Sequence, residues 1–261
     1  MNNFKTVSSL SGTHRPFPQH RQTILDLLQA SQKIPSFPLV RKMNLSEVVS
    51  ARNTSSLKIG WTTLFGKAYA IVCEELLELR ELFVRYPYKH LYCHPHSVAS
   101  MSIHRTDDQG QYRLIWGRWN KPESTSLVEL QRQLDFMRTA PMAEAYRDGM
   151  ILERRSALVR RFAFWWVMNC SGKKRAKHVG TFSISSLGGQ GALNAHHQLV
   201  TPSSLAFGPI NSNGECEVVL ICDHRSLDGM LGARALELLE SVLRNQIAQE
   251  LSQPSLVCAA A

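Results

Sequence analysis

Near the C-terminus an unbroken apolar run, Val218 to Cys222, is followed within ten residues by a second pattern, in which Leu231, Ala235, Leu238 and Val242 recur at helical spacing. The run predicts a short strand buried on both faces, and the stripe predicts a helix reaching to about Glu250. Such a strand cannot stand alone, because it needs sheet neighbours on its edges and helices or loops over its faces. The pair therefore constrains the chain to a layered α/β arrangement.

The preceding sequence supplies the other layers. A first helix is expected from about Arg21 to Ser31, ending before Pro35, and Phe37 to Met43 follows as extended chain. Leu64, Ala68, Val72, Leu76 and Leu79 mark a long amphipathic helix. Ala99, Met101 and Ile103 alternate with Ser100, Ser102 and His104, and Asp107 to Gly110 turns the chain into Tyr112 to Trp116, the pattern of a β-hairpin. Ser126 and Glu129 have capping-box spacing at the head of a stripe of Leu127, Leu130, Leu134 and Met137, which stops before Pro141. A basic, aromatic helix is predicted over 151–170 and a strand over 180–185. Residues 1–20 read as a loose N-terminal segment, 21–250 as one domain and 251–261 as a tail.

Composition removes several classes. With 44% apolar residues in a length of 261, the chain buries a core and is not disordered. Its longest strongly apolar stretches, Phe162 to Met168 and Val218 to Cys222, fall far short of the ~20 residues of a membrane-spanning helix. Met1 to Arg15 lacks the pattern of a secretory signal, so a cytoplasmic location is expected. Six dispersed cysteines suggest no disulfide framework. His90, Cys93, His94 and His96 lie close together, but Pro95 interrupts them and no second ligand pair follows at zinc-finger spacing, so no metal is expected.

Between the buried strand and its helix stands Asp223-His224-Arg225-Ser226-Leu227-Asp228-Gly229. An imidazole at a strand end, with a carboxylate and a glycine at the next helix start, sits on backbone pinned from both sides, which suits a general base. Spacing alone leaves open a surface turn in which Asp228 only caps the helix.

Three other stretches belong with this one. They are Arg21-Gln22-Thr23-Ile24 through Ser36-Phe37, Gly180-Thr181-Phe182-Ser183-Ile184-Ser185-Ser186-Leu187-Gly188, and Thr201-Pro202 through Gly208. In this order the four resemble the catalytic domain of the 2-oxoacid dehydrogenase acyltransferases (dihydrolipoyl acyltransferases), a chloramphenicol acetyltransferase-like family. The first resembles that family's opening helix and strand entry, with Ser36 where His is usual. The second resembles its Phe-Thr-Ile-Ser/Thr-Asn-Leu-Gly strand, and the last motif its His-x-x-x-Asp-Gly signature in the Asp-His-Arg form.

The resemblance implies a chloramphenicol acetyltransferase-like two-layer sandwich of helices on a mixed β-sheet. It implies an acyltransferase that moves an acyl group from a thioester donor, acyl-CoA or an acyl carrier protein, to an acceptor the sequence does not identify. His224 is then the base, Ser185, with Ser186 as its one-position alternative, the oxyanion donor, and Asp228 a structural carboxylate paired with Arg21; Asp223 and Gly229 support the turn. A homotrimer is implied, with His224 and Ser185 meeting across an interface. Coenzyme A is expected as the acyl-CoA substrate and no bound lipoyl group, because no lipoyl domain precedes Arg21. The other readings are a catalytically silent scaffold or binding relative, and a dihydrolipoyl acyltransferase served by a separate lipoyl protein. Ser185 and His224 are 39 positions apart, closer than in the complex-bound enzymes, and the aromatic stretch from Tyr86 to His96 resembles a stand-alone branch.

Thirty Lys and Arg against 21 Asp and Glu give a formal charge of +9. Eight of the cations, Arg154, Arg155, Arg160, Arg161, Lys173, Lys174, Arg175 and Lys177, fall in one segment without an acid, around Phe162 to Met168. Three readings stay open: a helix with its charges in water, peripheral contact with an anionic membrane, and binding of CoA phosphates or an acidic carrier. Nucleic acid is not expected, since no nucleic-acid fold motif accompanies the charge.

Overall fold

A computed structural model describes residues 12–108 and 110–252. The first eleven residues of the expected N-terminal segment, and the tail from residue 253, lie outside the described residues. The chain runs α1 (Gln19–Ser31), β1 (Ser36–Asn44), α2 (Ser46–Thr54), α3 (Trp61–Glu75), β2 (Glu81–Val84), β3 (His90–Cys93), β4 (Val98–Thr106), β5 (Tyr112–Asn120) and α4 (Leu127–Thr139). It continues through α5 (Met142–Ala145), α6 (Arg147–Glu153), α7 (Ala157–Cys170), α8 (Gly172–His178), β6 (Phe182–Ser186), β7 (Ser203–Phe207), β8 (Glu215–Asp223), α9 (Gly229–Val242) and, after a π turn at Leu243–Ile247, α10 (Ala248–Ser252).

Six strands form one mixed sheet in the order β1-β8-β7-β6-β4-β5. β6 lies parallel to β4 and β7, and the remaining pairs are antiparallel. β8 lies inside the sheet between β1 and β7, and its side chains from Val218 to Asp223 are all buried, as an unbroken apolar run requires. Val218, Leu220 and Cys222 face the main core, which α2, α3, α4 and α9 cover. Val219 and Ile221 face the other way, into a smaller core with Ile34, Met168, Leu199 and Ala206 under α1 and α7. The mixed α/β sandwich expected from the sequence is what the chain forms.

Two glycines hold the chain ends of these strands in place. Gly180, at φ +111°, leads into β6 where a Cβ would stand 2.7 Å from Ser100 Oγ. Gly214, at φ +81°, closes the turn into β8, where a Cβ would stand 2.5 Å from the Ser46 nitrogen.

The elements depart from the sequence pattern in a few places. The long helix ends at Glu75, and Leu79 belongs to a 3-10 turn. The helix expected over 151–170 is two helices, because Ser156 is extended and starts α7 anew. The stretch from Tyr86 to His96 includes a strand, β3, which pairs with β2 in a separate two-stranded sheet.

Candidate active site

β8 carries the chain into a tight turn at His224. The His224 backbone nitrogen donates to the Pro35 carbonyl (2.9 Å), which ties the turn to the entry of β1. Its ring meets Phe37 edge-on at 4.6 Å. Nδ1 lies 3.0 Å from the Leu227 carbonyl oxygen. A carbonyl only accepts, so Nδ1 carries the hydrogen, and in the neutral form of the ring the lone pair is on Nε2. Nε2 has no partner among the described residues, and His224 is exposed. The imidazole is thus oriented, with its basic nitrogen turned outward.

Two carboxylates brace the turn. Buried Asp223 accepts from Arg225 Nε (2.8 Å), Arg225 Nη2 (2.6 Å) and the Arg225 backbone nitrogen. The Arg225 guanidinium also lies over the Phe83 ring at 4.7 Å, joining the turn to β2. Asp228 Oδ1 accepts from the Leu231 nitrogen (2.9 Å) at the head of α9, which Gly229 begins. The expected pair between Asp228 and Arg21 is not formed. The Asp228 carboxylate is engaged by the Leu231 N–H of α9, and Arg21 sits on the exposed side of α1 with no ion pair among the described residues. The acid that α1 does bury, Asp26, binds Arg160 (2.9 Å) and Arg161 (3.0 Å) of α7.

Ser185 lies far from His224 within the chain. Strand register sets Ser185 beside Ala206, and Ala206 beside Val219. His224 is five residues beyond Val219 and two strands across, which puts roughly 17 Å between them along the strands and about 10 Å across. Ser185 is half-buried on the smaller-core face, and its hydroxyl bonds no described group. Ser186, its neighbour, is half-buried too.

Next to Ser185 on that face is a polar cluster that nothing in the linear sequence marks. His197 Nε2 lies 2.6 Å from Ser204 Oγ, which accepts from Ser183 Oγ (2.7 Å), itself 3.0 Å from Thr201 Oγ1. Burial pushes the His197 imidazole down from its ordinary value, favouring the uncharged ring. The pairing of β6 with β7 makes this cluster, so only the register could have revealed it.

The basic segment divides in two. Arg175 is 1% exposed and donates to the Phe83 and Val200 carbonyls, and burial pushes its guanidinium down to about 10. Arg160 is equally enclosed, bonded to Asp26, Gln22 and the Arg155 carbonyl. Neither can reach an external phosphate or membrane, because long basic side chains that find carbonyls and a carboxylate inside stay there. Arg154, Arg155, Lys173, Lys174 and Lys177 are exposed, as is Arg161 despite its bond to Asp26. In the His-rich stretch, His96 Nε2 bonds Asn120 Oδ1 (2.8 Å) and His94 Nδ1 bonds the Tyr92 hydroxyl (3.2 Å). Among the described residues no three His, Cys, Asp or Glu converge.

No family model and no curated protein matches the chain. Solved structures do. A probable dihydrolipoamide acetyltransferase from Listeria monocytogenes superposes with a TM-score of 0.63 at 15% identity, covering 95% of this chain and 98% of that one. The chain has the acetyltransferase core fold. The dihydrolipoamide acetyltransferase of Azotobacter vinelandii, studied for the catalytic roles of a serine, a histidine and an asparagine, gives 0.60 at 15% identity over 91% and 94%. A truncated catalytic core of the 2-oxoacid dehydrogenase complex from Thermoplasma acidophilum gives 0.59 at 14% over 90% and 99%. In this acetyltransferase fold, the His224 turn lies at the C-terminal end of β8, and Ser185 on β6 is level with the middle of that strand.

Proposed function

We propose that this protein is an acyltransferase that moves an acyl group from a thioester, acyl-CoA or an acyl carrier protein, to a hydroxyl, amine or thiol. The observation that carries the reading is the His224 ring, held through Nδ1 with Nε2 free and exposed at a strand end of the acetyltransferase fold. The histidine and asparagine named for the Azotobacter enzyme stand four positions apart, the spacing of His224 and Asp228. In the step, Nε2 takes the proton of the acceptor as its nucleophilic atom attacks the thioester carbonyl. The carbonyl π electrons move to oxygen, and a Ser185 hydroxyl donates to that oxyanion. Collapse of the intermediate breaks the C–S bond, and the imidazolium returns its proton to the departing thiolate.

A single chain separates His224 from Ser185 by strand register, so a site using both is built between copies. A homotrimer, the assembly expected from the family resemblance, supplies that arrangement. The exposed Lys173, Lys174 and Lys177, with Arg154 and Arg155, are cations open to CoA phosphates or an acidic carrier.

The test is transfer from a panel of acyl-CoA donors to a metabolite and lipid extract, with free dihydrolipoamide as one defined acceptor and products read by mass spectrometry. His224→Ala is expected to remove transfer by about 10²–10⁴-fold, and Ser185→Ala by about 10²–10³-fold. Co-refolding the two variants is expected to restore part of the activity, because mixed assemblies contain intact sites between copies. Undiminished activity in His224→Ala would overturn the mechanism.

A further inference from the structure

α7 is an apolar helix that the chain scarcely buries. Of its 14 residues only Arg160 and Met168 are buried. Leu158, Phe162 and Trp165 follow at helical spacing along its outer side and are 80%, 65% and 46% exposed. Tyr86, from the turn between β2 and β3, lies against Trp165 at 5.8 Å, and Phe162 stacks on Trp165 at 6.1 Å. Tyr88 of the same turn is exposed as well. The result is an aromatic ridge made from two chain segments.

Its surroundings are cationic. No Asp or Glu occurs from Arg154 to Gly214 or from Leu82 to Thr106, the two stretches that build the ridge, and Asp26 of α1, which pairs with Arg160 and Arg161, is buried beneath α7. Arg154, Arg155 and Arg161 stand exposed around the head of α7, Arg85 and Lys89 in the hairpin turn, and Lys174 over the Trp166 ring at 4.8 Å.

We propose that this ridge docks the protein on the surface of an anionic lipid bilayer. Trp and Tyr favour the headgroup level, where the ring is greased and its polar atom wet, and Leu158 and Phe162 add apolar surface to enter the acyl boundary. The ring of Arg and Lys meets the negative surface potential. A second copy set ridge to ridge would instead bring Arg154 and Arg155 against their own kind, and a contact of the ridge with a different face of another copy is the outcome that light scattering reads. A free phosphate would satisfy the cations and leave the aromatic side chains in water. β2 connects the ridge to the His224 turn, since Phe83 receives Arg225 on its ring, so docking holds that turn close to the membrane.

The test is co-sedimentation of the full chain with vesicles of phosphatidylcholine alone and of phosphatidylcholine mixed with phosphatidylglycerol. Binding to the anionic vesicles, weakening with salt and accompanied by a blue shift of tryptophan emission, is expected. Arg154→Gln with Arg155→Gln should weaken it roughly thirty-fold, the equivalent of about 2 kcal/mol at about 1 kcal/mol per charge. Phe162→Glu with Trp165→Glu should abolish it, with an unchanged melting temperature showing that the exposed substitutions leave the fold intact. Absence of binding, or equal binding to both kinds of vesicle, overturns the proposal. So does loss of oligomeric state in the Phe162→Glu, Trp165→Glu protein on light scattering, which would make the ridge a contact between copies. The readout is independent of acyl transfer, so this proposal and the catalytic reading fail separately.

Discussion

α9 and α7 are both apolar helices of 14 residues, and they use that character in opposite ways. α9 turns Ala235, Leu236, Leu239 and Val242 into the main core, and Gly232 lets it lie close to β1, where a Cβ would come within 2.4 Å of Leu39 Cδ1. Its N-terminus is capped by Asp228. α7 is anchored by the ion pairs of Arg160 and Arg161 with Asp26 and by one buried methionine, its N-cap Ser156 makes no side-chain bond, and Leu158, Phe162 and Trp165 stay outside. Apolar content therefore distinguishes the two less than where each stripe points. A stripe facing the sheet stabilises the fold, and one facing away is available for a partner surface.

The largest expected effect that tests this contrast is in stability. Leu239→Ala should cost about 2–5 kcal/mol, because it leaves a cavity in a packed core, whereas Phe162→Ser should stay within about 0.5 kcal/mol of the parent. Denaturant unfolding of the two variants decides it, and a large loss at Phe162 would break the comparison. A smaller contrast is expected at the helix starts. Asp228→Ala should cost about 1 kcal/mol by exposing the first N–H groups of α9, and Ser156→Ala should change the thermal midpoint little. The effect that vanishes near neutral pH belongs to the hairpin beside α8. Burial, followed by the His96, Arg80 and Lys173 charges, pushes the His94 imidazole down from 6.5 to about 4. The unfolded chain then takes up a proton first, so stability is full above pH 6.5 and falls as the pH drops toward 4. His94→Gln should flatten that fall in unfolding curves across the window.

Much of the fold could be read from periodicity. The β8 run, the alternation in β4, the capping box of α4, in which Glu129 nitrogen donates to Ser126 Oγ, and the α9 stripe all appear where the pattern puts them. β2 and β3 escaped because four-residue strands of mixed aromatic and His content show no clean period. At the candidate site, the placement of His224 between strand and helix was legible because, Pro35 and Phe37 apart, the groups that fix it lie within the Asp223 to Leu231 turn. Arg225 stood in the motif itself, but its bidentate grip on Asp223 did not.

The sequence by itself determined the β8 strand, the β4–β5 hairpin and the helical stripes of α3, α4 and α9, where the His224 turn falls, and that positive charge gathers before β6, since these follow from neighbours a few residues apart. Only the tertiary structure decided that Asp228 caps α9 and leaves Arg21 without an ion pair among the described residues, that Arg160 and Arg175 are sealed inside while Arg154 and Arg155 are not, and that Ser185 lies two strands across and five residues along from His224. Each of these depends on strand order, register and helix rotation, which bring together residues tens to hundreds of positions apart and leave no trace in local spacing.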